Sequence, residues 1–227
     1  MARFSKSFIE GARDAAPLAP SFFFIFMGFG MMAAVAGMSP AAAMAMTVMV
    51  YAAPAQYAMV DMALSTPAGV AQLAIVGALA NLRFFVMGLS LSHLLPGMSR
   101  GGAMLWGHFV AATPFLLVYL RSRKEPPADL LEYYKGLSLT LPVFAVSGVA
   151  AGLLAGGSAP APLSFGLMLF MPVYFTLLLT SELKWGREAA AVVMGAALTP
   201  LAEIAAPGWG LVAGPVLTGF VLSVSGR

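Results

Sequence analysis

Eight uninterrupted apolar stretches organise this chain: about 17–37, 41–63, 69–95, 102–120, 137–157, 162–181, 188–206 and 209–226. A helix rises about 1.5 Å per residue, so roughly 20 residues cross the hydrocarbon core of a bilayer. The runs are continuous rather than alternating, which favours helices over barrel strands. They predict an all-α polytopic membrane helix bundle of seven to eight transmembrane segments. Segments six and eight are short or interrupted; a re-entrant path for one of them would leave six or seven crossings. Composition agrees. The 227 residues are 60% hydrophobic and only 9% charged, against about a quarter charged in a soluble domain. That excludes an ordinary soluble enzyme, a disordered chain and a nucleic-acid module. Residues 1–227 read as one transmembrane domain.

Residues 1–16 differ from the rest. Phe4, Phe8 and Ile9 sit among Lys6, Glu10, Arg13 and Asp14, the pattern of an amphipathic helix on a membrane surface. The linkers are short and turn-like: Met38-Ser39-Pro40, Ser65-Thr66-Pro67, Pro96-Gly97-Met98-Ser99 and Ala159-Pro160-Ala161-Pro162. One longer charged loop runs from Arg121 to Lys135. With eight crossings and a cytoplasmic N-terminus, the cytoplasmic side holds Arg3, Lys6, Arg13, Arg121, Arg123, Lys124, Lys135, Lys184, Arg187 and Arg227. The outer side holds Arg100 alone, and that asymmetry predicts the orientation.

An internal repeat is legible. Gly11 and Pro17 recur 125 residues later as Gly136 and Pro142. Pro54 and Gly77 recur 118 residues later as Pro172 and Gly195. The halves are about 8–120 and 133–226. Secondary transporters are commonly built this way, with a site between the repeats. Four crossings per half make the repeats parallel and an odd number makes them inverted; the spacing leaves both open.

Few polar residues lie inside the spans. Arg83 is near the middle of the third, with Asn81 two positions earlier. An arginine at the bilayer centre costs about 2.5–3.5 kcal/mol on insertion scales. Arg83 is therefore expected to face the protein interior or a wet cavity, either in a structural ion pair or binding a substrate carboxylate with its planar fork. The second span holds Tyr51, Pro54, Gln56 and Tyr57. Pro54 removes a helical hydrogen bond, and a helix break with polar side chains beside it suits a small zwitterionic substrate. A packed kink, with Gln56 bonding a neighbouring helix, is the alternative. Pro172, with Tyr174 and Thr176, is the expected counterpart break. Among the acids, Asp61 and Glu182 lie near span ends, whereas Glu203 is further inside and is a candidate for an Arg83 pair or a coupling proton.

Other features read as structural. Gly148, Gly152 and Gly156, like Gly210 and Gly214, have the four-residue spacing that lets helices approach. Trp106, Trp185 and Trp209 sit at span ends as interfacial anchors, and His93 and His108 flank an outer loop. There is no cysteine, and two histidines alone build no metal centre. No His-Glu-x-x-His, paired catalytic carboxylates, Gly-x-Ser-x-Gly or phosphate-binding glycine loop is present, so no enzyme, cofactor or metal is expected.

Three segments carry a family resemblance. They are Phe8-x-x-Gly11 with Pro17, Pro20 and Gly28-Phe29-Gly30; Val50-Tyr51-Ala52-Ala53-Pro54-Ala55-Gln56-Tyr57; and Asn81-Leu82-Arg83-Phe84-Phe85-Val86-Met87-Gly88-Leu89-Ser90-Leu91. The chain resembles the AzlC-type branched-chain amino acid permease family, most sharply in its first hundred residues. Gln56, Asn81 and Arg83 match motif positions. The chain departs from the family at Phe84, often His, and at Met87, with Tyr usual shortly before the Gly. His108 to Thr113 stands where an acidic pair is usual, so substrate choice and proton coupling stay open.

The resemblance implies an inner-membrane exporter of branched-chain or similar amino acids and a small AzlD-type membrane partner subunit. The expected function is secondary export of small aliphatic amino acids across the cytoplasmic membrane. Arg83, Asn81, Gln56 and the broken-helix backbone would hold the polar end, with Tyr51 and Tyr57 beside them. Asp61 or Glu203 would serve coupling or an ion pair. A non-transporting membrane subunit and a small-solute channel are the alternatives. Lipid and the amino acid are the expected partners, and nucleic acid is not one.

Overall fold

A computed structural model describes residues 5–65, 69–124, 126–156, 158–182, 186–207 and 209–224. Arg3, Phe4, Thr66, Pro67, Glu125, Lys184, Trp185, Arg227 and the side chains of Ser65 and Glu182 lie outside the described residues. Eleven α-helices and no strand occur among those described. They are α1 (Lys6–Ala15), α2 (Ala19–Val35), α3 (Pro40–Val50), α4 (Ala53–Ser65), α5 (Val70–Leu94), α6 (Arg100–Gly107), α7 (Ala112–Lys124), α8 (Leu130–Gly156), α9 (Ala161–Glu182), α10 (Arg187–Ala205) and α11 (Gly210–Val224). The fold is an all-α membrane helix bundle, and the protein is a multi-pass membrane protein. Four helical stretches are long and apolar enough to cross a bilayer: Lys6–Val35, Val70–Leu94, Leu130–Gly156 and Arg187–Ala205.

The turn-like linkers of the sequence act as helix caps. Ser5, Ser39 and Ser99 each accept the backbone N–H three residues on, and Asp129 does the same for Glu132, satisfying donors orphaned at helix starts. Gly37, at φ +72°, closes α2 in a conformation that glycine adopts without penalty.

Two spans are not single helices. The second divides into α3 and α4 around Tyr51-Ala52, and the fourth into α6 and α7 around His108 to Ala111. The expected continuous segment at 102–120 is thereby corrected. Pro54 is also not an interior kink: it occupies the second position of α4, where its missing N–H costs nothing. Pro172, expected to break its helix, lies inside an unbroken α9. Its missing N–H frees the Met168 carbonyl, four residues back, which membrane helices tolerate; Thr176 Oγ1 separately donates to the Pro172 carbonyl at 2.7 Å.

The chain forms two compact units. One comprises Met1–Ala53 with Asn81–Met168, the other Pro54–Ala80 with Leu169–Arg227. In the first, α8 is the central helix. Its buried stripe of Leu137, Leu141, Ala145, Gly148 and Gly152 repeats every three to four residues and faces α1 and α2. The α1 residues Ser7, Gly11 and Ala15 form a matching buried stripe, so the small-residue face of the amphipathic segment rests on protein. Tyr133 donates to Asp14 Oδ2 at 2.8 Å, and Ser7 Oγ accepts the Asp129 N–H at 3.2 Å, tying α1 to the start of α8. In the second unit α10 packs on α11. A Cβ added at Gly214 would lie 2.6 Å from Thr199 Cα, closer than any side chain allows, so the close-approach role expected of that glycine holds.

Candidate functional site

The two helix breaks of the first unit meet. Helix α3 ends at Val50, and Tyr51 turns into the left-handed region at φ 42°, ψ 40°, closing the helix through its N–H on the Thr47 carbonyl. A non-glycine residue there carries roughly 1–2 kcal/mol of backbone strain. The surroundings hold it: the Tyr51 ring is 5% exposed, stacks on Phe26 at 6.1 Å and meets Phe109 edge-on at 6.0 Å. Phe109 belongs to the other break. Its neighbour His108 places Nε2 2.7 Å from the Val48 carbonyl, one of the acceptors that the end of α3 leaves without a helical partner. The two interruptions are thus joined by a ring contact and a hydrogen bond across 60 residues of sequence.

The Tyr51 hydroxyl is buried and, among the described residues, has no hydrogen-bond partner. A buried polar group left so costs free energy, which a ligand or water can recover. The first N–H groups of α7 begin at Ala112, so a helix N-terminus opens from the second break.

An apolar cavity of about 530 Å³ adjoins the same break. Val110, Gly107 and Trp106 line it from the α6–α7 side, and Phe84, Gly88 and Leu95 from α5. Tyr134 also lines it and spends its hydroxyl on the Trp106 carbonyl at 2.7 Å, so the wall it presents is apolar.

The predicted site residues divide. Tyr51 stands at the paired breaks. Gln56, on α4, is fully buried; Tyr57 is half-buried, and Asp61 is exposed on the same helix. Asn81 and Arg83 do not converge. Helix α5 is unbroken from Val70 to Leu94, so two residues turn the helix by about 200°. Asn81, seven residues before Gly88, shares the cavity-facing side, while Arg83 points about 140° away from Gly88. Arg83 is exposed rather than enclosed. Its guanidinium lies 4.8 Å from the Phe84 ring centroid, and it has no ion-pair partner among the described residues. Glu203, in the second unit, accepts the Gly210 N–H at 2.8 Å and so caps α11.

Sequence reasoning missed His108, Phe109 and the second break. The signals were Gly107 just before it and Pro114 just after, residues that punctuate helices. No described group of three or more acidic or histidine side chains is arranged for a metal ion.

The arrangement can hold a small molecule with an apolar body and a hydrogen-bonding head. Comparison with known proteins gives the family. No curated protein and no solved structure matches the chain. A family model, AzlC protein, matches residues 17–158, more than half of the chain and the whole of both helix breaks. The protein belongs to the AzlC family of membrane permeases, whose transport role relates to branched-chain amino acids.

Proposed function

We propose that the protein is a secondary transporter that exports branched-chain and similar small aliphatic amino acids across the bacterial cytoplasmic membrane, with its N-terminus in the cytoplasm. The observation that carries this reading is the meeting of two interrupted helices beside an apolar cavity, with the buried Tyr51 hydroxyl at the first break unpartnered among the described residues. A branched aliphatic side chain suits the cavity wall of Phe84, Leu95 and Val110. The charged head suits the Tyr51 hydroxyl and the N-terminus of α7. Asn81 adds a hydrogen-bonding group on the cavity-facing side of α5; Arg83, on the other side of α5, is proposed to meet the carboxylate at a separate stage of the transport cycle, and Gln56 and Tyr57 are proposed as hydrogen-bonding groups of the second unit. Asp61 and Glu203 remain the coupling candidates. An AzlD-type subunit is the proposed partner.

The test is reconstitution with and without that subunit, in vesicles preloaded with labelled leucine. Saturable efflux and counterflow are expected, with Arg83→Lys impaired although the charge is kept, because the planar fork is lost. Failure to move any of the twenty amino acids under either condition would leave an accessory subunit as the better account. Efflux without saturation or counterflow would mean a channel.

A further inference from the structure

We infer that the chain is a tandem of two parallel repeats, related by a pseudo-two-fold axis along the membrane normal that runs through the seam between α1–α2 and α8. The seam shows both parts of this. Gly11 lies at Tyr133, Gly30 at Val149 and Ala34 at Gly156, so the contacts advance together and the helices run parallel. The contacts are also reciprocal. A Cβ on Gly11 would meet the Tyr133 carbonyl and lie 3.2 Å from the Leu137 nitrogen; a Cβ on Gly136 would meet the Phe8 carbonyl and lie 2.9 Å from the Ala12 nitrogen. Gly136, Tyr133 and Leu137 stand 125 residues beyond Gly11, Phe8 and Ala12 respectively. Further along, a Cβ on Gly30 would meet the Val149 carbonyl and a Cβ on Gly152 the Met27 carbonyl, and Gly152 and Val149 stand 122 residues beyond Gly30 and Met27 respectively. Such exchange of partners is the mark of a two-fold interface. An axis in the membrane plane would set equivalent helices antiparallel, so this axis lies along them.

The loss of three in the spacing has a place. The single turn of 3-10 helix at Ala16–Leu18 joins α1 to α2, and α8 runs through without it, so Pro142 answers Pro20, 122 residues before it, rather than Pro17. Pro40 and Pro162 still stand 122 apart, but Pro54 and Pro172 stand 118 apart. The next four extra residues, about one helical turn, therefore lie between Pro40 and Pro54, where α3 ends at Tyr51 and α9 continues unbroken. On this spacing α1–α2, α3–α4 and α5 answer α8, α9 and α10, and α11 follows α10 as α6–α7 follow α5. The first repeat carries the interruptions and the second is its unbroken copy. The three spans between α2 and α8 make an odd number of crossings.

One consequence rests on the transport reading. A normal axis maps each membrane face onto itself, so exchanging the conformations of the repeats does not turn an inward-open state outward. The switch belongs to the interrupted helices of the first repeat.

The chain has no cysteine, so single-cysteine labelling with a membrane-impermeant maleimide tests the symmetry without any transport assay. Lys6→Cys and Ala128→Cys are expected to label from one face, and Met38→Cys and Ala159→Cys from the other. Labelling of positions 6 and 128 from opposite faces overturns the proposal. Matched substitutions give a second readout. Gly11→Ala and Gly136→Ala should lower the melting temperature alike, as should Gly30→Ala and Gly152→Ala; a harmful change with a silent mate counts against the axis. For the switch, saturating leucine should alter labelling of Ala52→Cys several-fold and leave Phe170→Cys, its counterpart 118 residues on, unaltered. Equal responses at both overturn the first-repeat switch. Failure of transport alone leaves the topology result standing.

Discussion

Replacing His108 with alanine tests whether the two helix breaks are held together as the geometry indicates. The Nε2–Val48 carbonyl contact, at 2.7 Å, satisfies an acceptor that the turn at Tyr51 removes from the helical ladder. In a membrane no bulk water replaces a lost partner. Side-chain hydrogen bonds between membrane helices average about 0.6 kcal/mol and reach about 1.7, and this one joins two residues exposed on the protein surface. Taking ~0.6–1.7 kcal/mol, and ~2–4 °C per kcal/mol for a chain of this size, His108→Ala should lower the melting temperature in detergent by roughly 1–7 °C. His108→Leu should do the same, because it keeps bulk but not the donor. His108→Gln, whose amide N–H can reach in the same direction, should recover at least half of the loss. The KM for leucine should follow the same order, since the bond orients the carbonyls at the break. Wild-type melting and wild-type KM in both His108→Ala and His108→Leu would refute the reasoning and reduce the contact to an incidental one.

Two further outcomes follow from local geometry. Tyr51→Phe removes a hydroxyl with no described protein partner, so stability should hold within about 0.5 kcal/mol while KM for leucine rises several-fold; an unchanged KM would remove Tyr51 from the site. Gly148→Ala would drive a Cβ into the Phe23 carbonyl and should destabilise by about 1–3 kcal/mol, whereas Gly166→Ala, with nothing within 4 Å, should be neutral or gain up to about 1 kcal/mol of helix propensity; thermal unfolding of the pair in detergent checks the contrast.

The spans were legible because about 20 continuous apolar residues have little alternative in a bilayer. Helices α5, α10 and α11 begin and end within two residues of the stretches read as 69–95, 188–206 and 209–226. The interruptions were not legible, because their causes are distant in sequence. Val50-Tyr51-Ala52-Ala53 reads locally as helix; what turns it is a ring stack with Phe26 and Phe109 and a hydrogen bond from His108. Proline was a poor guide in both directions: Pro54 follows a break it does not itself make, and Pro172 makes none. The grouping of Asn81 with Arg83 failed for a simpler reason. Sequence proximity is not spatial proximity on a helix, where residues two apart face away from each other.

That opposition sharpens the question put by Arg83. It lies 13 residues from the start of α5 and 11 from its end, about 20 Å and 17 Å along the axis. An arginine side chain cannot snorkel that far, so the guanidinium needs an anion or water where it stands. A helix-stapling ion pair and a substrate carboxylate both meet that need, but they differ in sign when the charge is removed. If Arg83 pairs with a fixed protein acid, Arg83→Gln strands the acid and destabilises the protein by about 3–5 kcal/mol. If it waits for substrate, the substrate-free protein bears the cost alone. Arg83→Gln should then be as stable as the parent or more so, by up to about 2.5–3.5 kcal/mol on insertion scales. Leucine should raise the melting temperature of the parent and leave that of Arg83→Gln unmoved. Unfolding curves of the two proteins, with and without saturating leucine, separate the cases: a destabilised Arg83→Gln that leucine still stabilises would make Arg83 a staple and send the search for the carboxylate anchor back to Tyr51 and the N-terminus of α7.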